Sequence, residues 1–440
     1  MTTGALHVLL PTDVFPPRCG GAGWSAHALA LALLARGHTV TAIVPRAGAG
    51  DTALDTLGVP TRVLGYRAAR LPFVRNASRH EWLWPRIASV ITAEIQGQTI
   101  IHAQHTQVTP AAVLAGRRSG TPVVVTVRDH WPWDYFATGL HGNRIPYPRQ
   151  DLAALATDLP ARLGPLRGSI ALAALPYVLG HTARRRRALA QADAVIAVSQ
   201  YIADRLAGIV AADRLHVVPN MVNLAAIDAT IVTPPEAIAP GQRFVLFVGK
   251  LEANKGADLL PAIIAGLRDA RCDNGTRPAL VVCGDGPLSA AVARAADDAG
   301  ITAHLLAWAA HDDVLRLMAR CDVLLFPSAW GEPLSRVLLE ASACGTPVVA
   351  MPTGGTPDII IDEQTGVLAR TPAALAAATT ALLADPAARR RYRTTIRAHA
   401  AQRFATDAVV PQVEAIYRAV ARGGGAAGRG RAVGRRWGRV

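Results

Sequence analysis

At 440 residues the chain is two to three times the size of an ordinary domain, which excludes a single small binding module. A hydrophobic share of 51% against 18% charged excludes a mostly disordered chain, and five scattered cysteines with no C-x-x-C pair exclude a disulfide framework or a cysteine zinc site. The net charge of +14 is uneven: residues 1–225 hold 22 arginines against 12 acids, residues 226–400 hold 16 bases against 18 acids, and residues 401–440 hold eight against two. That asymmetry fits an anionic membrane surface or an anionic acceptor meeting the first half better than it fits nucleic acid along the whole length.

In chain order, residues 5–10, 39–44, 99–103, 122–127, 194–198 and 215–218 read as strands, several of them continuous apolar runs, with alanine-rich helical stretches such as 24–36 between them. A Pro-rich stretch at 233–240 reads as a linker, and strands resume at 243–249, 279–283, 322–327 and 346–350. Strand–helix alternation on both sides of a linker predicts an α/β chain of two Rossmann-like, doubly wound parallel-sheet domains facing across a cleft. The longest apolar run, near 170–179, is broken by Pro176 and is too short to span a bilayer. Met1 leads into a strand without a basic leader, so a cytoplasmic protein is expected, peripheral to the inner membrane face at most. Residues 423–440 are rich in Gly and Arg and are expected to form a disordered basic tail.

Lysine is the rarest base here: 44 of the 46 basic residues are Arg, and both lysines fall in Gly249-Lys-Leu-Glu-Ala-Asn-Lys-Gly256, directly after a strand. A compact ammonium on a flexible stem at a strand's carboxyl end suits a diphosphate that shifts during reaction. Farther on, Trp330-Gly-Glu-Pro-Leu-Ser-Arg-Val-Leu-Leu-Glu340 places Glu332 in a loop and Glu340 on a helix starting near Leu334. The two acids are expected near one helix face, where they can accept hydroxyls of a polyol, while the helix start presents N–H groups to phosphate. After the first strand, Gly20, Gly21 and Gly23 let a backbone approach phosphate, but neither G-x-G-x-x-G nor the acid of a dinucleotide site follows. No metal motif is apparent.

Together these segments resemble retaining glycosyltransferases of the GT-B fold, family 4. The resemblance runs through Gly20-Gly21, the two lysines, Gly284-Asp-Gly-Pro287, Phe326-Pro-Ser328, the Glu-x7-Glu pair, Gly345-x-Pro-Val-Val349, Gly354-Gly355 and Thr365-Gly366. It implies an acceptor-side domain over 1–228, a linker at 229–240, a nucleotide-sugar-binding domain over 241–405, and a helix at 406–422 returning to the first domain. It also implies that Lys250 and Lys255 neutralise a UDP- or GDP-linked donor, that Glu332 meets the sugar and Glu340 the ribose, and that Gly20 and Gly21 close over the phosphates. Gly249, Gly284, Asp285, Leu334 and Ser335 complete the implied donor site. No cofactor is implied, and the reaction is the transfer of a hexose to a glycan or lipid-linked acceptor without a metal.

The sequence departs from the family pattern at three places. Ser335 stands for a common Gly, Asp358 for a common Glu, and Arg128 for a His that meets the donor hexose. Arg128 is carried as a catalytic candidate, with His105, Asp129 and His130 on the acceptor side. A glycogen- or sucrose-type synthase, a sugar-nucleotide epimerase and a non-enzymatic anionic-surface binder are the competing readings. Arg184-Arg-Arg-Arg187, following the mostly apolar stretch 163–180, is expected to anchor the acceptor domain at an anionic membrane.

Overall fold

The computed structural model of the protein describes residues 4–17, 19–71, 73–142, 145–146 and 150–423. The tail expected over 423–440 therefore lies, past Gly423, outside the described residues. The first sheet contains strands β1 (His7–Pro11), β2 (Thr39–Ala47), β3 (Thr52–Thr56), β4 (Val59–Tyr66), β5 (Thr99–Ala103) and β6 (Val123–Val127). A short hairpin, β7 (Leu140–His141) and β8 (Ile145–Pro146), stands apart, and β9 (Ala194–Ala197) and β10 (Leu215–Val217) complete the first sheet. Its order is β10-β9-β6-β5-β1-β2-β4-β3, parallel except for β3 against β4. The second sheet is wholly parallel, built from β11 (Phe244–Val248), β12 (Ala279–Cys283), β13 (Ala303–Leu306), β14 (Val323–Phe326), β15 (Val348–Ala350) and β16 (Val367–Leu368), in the order β13-β12-β11-β14-β15-β16.

Both sheets reverse direction of winding once. In the first, the chain runs outward from β1 to β2 and β4, then returns to the other side of β1 as β5. In the second, it runs outward from β11, then returns beside β11 as β14. Such a reversal splays two loops apart at the strands' carboxyl ends and leaves a crevice there. β5, β6 and β12 are buried along their whole length, as inner strands of parallel sheets require, and the polar His102 and Thr126 of β5 and β6 pair with each other at 2.7 Å.

One buried cluster takes in residues of both sheets, from Leu9 and Ile101 to Leu324 and Val348. The outer face of the first sheet is covered by the helix Gly21–Ala35 and by the last helix, Thr406–Gly423, whose Val409, Val413 and Tyr417 pack with Val8, Leu10 and Leu33. Tyr417 Oη lies 2.6 Å from His102 Nδ1, and Arg36 Nε donates to Glu414 Oε1 at 2.5 Å.

The arginine cluster corrects an expectation. It lies on the helix Leu175–Leu189, but three of its four members turn into the protein. Arg184 pairs with Glu81 at 2.7 Å, Arg185 is 2% exposed and donates to the carbonyls of Trp131 and Tyr135, and Arg186 donates to Pro132 O. Only Arg187 of the four is exposed. Apolar packing by Tyr135, Leu155 and Val178 draws this helix inward, and the carbonyls of the segment after β6 take the guanidinium donors. The four arginines together are therefore no anchor.

Candidate active site

The site is assembled at the two crevices. After β11 the chain turns through Gly249, whose N–H donates to Cys283 O, and Leu251 N donates to Asp285 O, stitching this loop to the one after β12. Gly284, at φ 146°, is needed for that contact, because a Cβ there would sit 1.9 Å from Gly249 O. Asp285 is occupied by its own turn, accepting from Gly286 N at 2.7 Å and Ser289 Oγ at 2.9 Å. The Oδ1 atom thus shapes the loop, while the residue itself is exposed. Lys250 is exposed, with Glu252 4.0 Å away.

Lys255 and Glu332 come together. The ammonium donates to Glu332 Oε1 at 2.7 Å and lies 4.6 Å from the centre of the Trp330 ring. Glu332 is buried and also accepts from Ser328 Oγ at 3.2 Å. The loop that carries it rests on Gly354 and Gly355: Gly355 N donates to Glu332 O at 2.7 Å, and a Cβ on Gly354 would lie 2.3 Å from that oxygen. The Gly-Gly pair downstream of the two acids thus lets the backbone pass beneath the first acid.

The following helix spans Arg336–Ala343, later than expected, because the Ser335 hydroxyl caps it, accepting from Leu338 N at 3.5 Å. Glu332 therefore precedes the helix, and the two acids do not share a helix face. Glu340 is buried, and its Oε1 is shared by Arg336 Nε at 2.7 Å and His311 Nε2 at 2.9 Å. The carboxylate raises the His311 pKa above its ordinary value. Leu334 is buried beneath the loop.

From the first sheet, Gly20 caps the helix Gly21–Ala35 without a side-chain bond, so free N–H groups start that helix. A Cβ on Gly20 would meet nothing within 4 Å, and one on Gly21 would meet Arg336 Cδ at 3.5 Å. The glycine loop of one half thus faces the helix start of the other, with open space beside it. Arg128 is half-buried and tied to neutral partners, Asn220 Oδ1 at 3.0 Å and Gln104 Oε1 at 2.6 Å, and desolvation lowers its pKa to about 10.

The residues expected on the acceptor side, together with Asp13, lie just after β1, β5 and β6. Asp13 accepts from Gln107 N at 2.7 Å and Val108 N at 3.0 Å, yet desolvation, with the Asp129 charge adding, pushes its pKa up to about 7. Asp129 accepts from Trp131 N at 2.8 Å and is pushed up to about 6, again chiefly by desolvation. His105 Nδ1 lies 2.8 Å from Thr12 Oγ1, its buried Nε2 has no partner, and burial lowers it to about 3. His130 is buried between Trp133, Tyr201 and Trp330, and is lowered to about 4 by burial. Trp330 closes the two halves, its indole N–H donating to Thr138 O.

Residues 19–226 match the family described as Glycosyltransferase Family 4, and residues 230–399 match the one described as Glycosyl transferases group 1. The chain belongs to the group 1 glycosyltransferases of family 4 type. It is 32% identical over 247 residues to a D-inositol 3-phosphate glycosyltransferase of Segniliparus rotundus, covering 54% of each chain. It is 30% identical over 266 residues to an alpha-maltose-1-phosphate synthase of Mycolicibacterium smegmatis, covering 53% of this chain and 65% of that one. The chain spans about half to two-thirds of the length of these curated relatives. In fold it is similar to Anabaena HepE in complex with UDP, with a TM-score of 0.65 at 18% identity over 94% of this chain and 99% of HepE. It is likewise similar to sucrose-phosphate synthase of Thermosynechococcus elongatus, at 0.63 and 20% over 96% and 100%. The fold is GT-B, as expected.

In this family member, sequence reasoning passed over Asp13, His311, Trp330 and Arg336 as candidates for the site. Arg336 had a signal, four residues before Glu340 on one helix face. Asp13 had another, an acid directly after the first strand of a parallel sheet. His311 had none, since only the fold brings it across 29 residues to Glu340.

Proposed function

We propose that this chain moves a hexose from a nucleotide-sugar donor, UDP- or GDP-linked, to a glycan or lipid-linked acceptor, with retention at the transferred carbon. The observation that carries this reading is the Lys255–Glu332 pair set between two sheet crevices, one offering phosphate ligands and the other acceptor ligands. Lys250 and Lys255, with the free N–H groups at Gly20–Gly21 and at the helix start after Ser335, supply positive charge where a leaving diphosphate develops its negative charge. That charge takes the place a divalent cation holds in other transferases. Glu332 accepts sugar hydroxyls once Lys255 turns to phosphate, and Glu340 accepts ribose hydroxyls while Arg336 stays at the phosphate side.

Arg128 supplies a further positive charge at the end of β6, held in place by Asn220 and Gln104. The acceptor enters from the side of Asp13, His105, Asp129 and His130. Front-face attack, with the leaving phosphate taking the acceptor proton, gives retention without a carboxylate nucleophile. Support comes from the family and from relatives named as a D-inositol 3-phosphate glycosyltransferase, an alpha-maltose-1-phosphate synthase and a glycogen synthase. Those relatives keep a glycogen-type synthase as the second reading, differing in acceptor alone. The test is a panel of UDP-, GDP- and ADP-sugars scored for nucleoside diphosphate release, repeated with soluble glucans and with lipid-linked acceptors. No release from any donor by the wild type would overturn the reading, and glucan extension alone would favour the second.

A further inference from the structure

Eight of the eighteen large apolar side chains exposed among the described residues fall in two short stretches of the first half, residues 71–82 and 152–179. The helix Pro165–Ala171 turns Gly168 and Ala171 inward, with Gly168 packed on the Pro160 backbone, and presents Leu166 (76% exposed) and Ile170 (68%) one helical turn apart. Leu71 (67%), Val74 and Trp82 (66%) stand out in the same way on and beside the helix Val74–Arg79. The two stretches are packed as one body: the rings of Phe73 and Tyr177 lie 6.4 Å apart, Asn76 Nδ2 donates to Tyr135 Oη, and Glu81 binds His181 and Arg184.

The exposed charge in and beside these stretches is predominantly positive. Arg67, Arg70, Arg75, Arg167 and Arg187 are exposed, against Asp151 alone among the acids, while Glu81 and Asp158 are paired within the body. Exposed apolar side chains interleaved along the chain with exposed arginines complement an anionic lipid headgroup layer with hydrocarbon beneath.

We propose that the outward faces of the helices Val74–Arg79 and Pro165–Ala171, with Leu71 and Trp82, seat this protein on an anionic bilayer. The arginines draw the body to the headgroups, and Leu71, Trp82, Leu166 and Ile170 enter the acyl boundary. The same body carries Thr138, which receives the Trp330 indole, so a bilayer beneath it lies beside the crevice.

The test is flotation of the full chain with vesicles of phosphatidylcholine, alone or with about a third phosphatidylglycerol, at about 0.1 M and 0.5 M salt. The wild type is expected to float with the anionic vesicles at low salt, to be largely released at high salt, and to stay down with neutral vesicles. Leu166→Glu with Ile170→Glu, both at exposed positions, should weaken partition at least about ten-fold with an unchanged melting temperature. Wild type left in solution with anionic vesicles at both salts would overturn the proposal. So would wild-type partition by the double variant, or a solution dimer that the double variant dissolves. The assay needs neither donor nor acceptor, so its failure is separate from a failure of the transferase reading.

Discussion

Lys255 donates to Glu332 at 2.7 Å while its charge also faces the Trp330 ring, so the cation assigned to the diphosphate is held beforehand by a carboxylate and an indole. In the proposed reaction, donor phosphate wins Lys255 from Glu332 and so frees the carboxylate for the sugar. In that proposal, donor binding and sugar recognition are thereby coupled through this one contact.

Lys255→Ala is expected to lose about 10²–10³ in turnover, because charge at the leaving group acts in the transition state. Its circular dichroism should match the wild type. Nucleoside diphosphate release measures the loss, and activity within a few-fold of wild type would refute the assignment.

Trp330→Phe keeps a ring against Lys255 and removes the N–H bonded to Thr138 O. Without donor, the radius of gyration from small-angle scattering should rise in Trp330→Ala and lie between in Trp330→Phe. Identical curves for all three would show that the indole does not hold the halves together.

Asp13 gives a pH signature. Its pKa is raised to about 7 in the folded chain, chiefly by desolvation, so the folded state binds a proton that the unfolded chain has already lost. This group therefore lowers stability as pH rises from about 4 to about 7 and adds no slope above that. Asp13→Asn still accepts from one backbone N–H and should flatten that fall. Thermal unfolding from pH 4.5 to 8 compares the two, and parallel curves would count against a raised Asp13.

His311 gives the opposite test. Glu340 raises its pKa, so the pair's stabilisation is complete below the unfolded value near 6.5 and fades as pH rises through the raised one. His311→Gln should melt below wild type at pH 6 and level with it by pH 9. A constant gap would assign His311 a packing role instead.

Much of the fold was legible because buried parallel strands are mostly apolar, so 99–103 and 279–283 were found to the residue as β5 and β12. β3, β4, β13 and β16 were not: β3 is exposed over its first four residues, β4 is exposed at two alternate positions, β13 is nowhere fully buried, and β16 has only two residues. Within the site, Lys255 with Glu332 could be anticipated because each sits beside a strand end. The His311–Glu340 contact and the Trp330–Thr138 bridge depend on tertiary packing that no spacing encodes. The inward turn of Arg184–Arg186 escaped for a similar reason: a run of charge looks solvated until carbonyls from another segment are found to satisfy it.

The last helix has a consequence for how the chain comes off the ribosome. Val409, Val413 and Tyr417 complete the outer core of the first sheet, and Tyr417 is the partner of His102. The first sheet's final strand ends at Val217, yet its core cannot close until translation has travelled on to Tyr417. At roughly 5–20 residues per second that interval lasts roughly 10–40 s. Throughout it, the N-terminal half emerges with apolar surface uncovered, a window for chaperone capture that a chain ending its first body at β10 would not have.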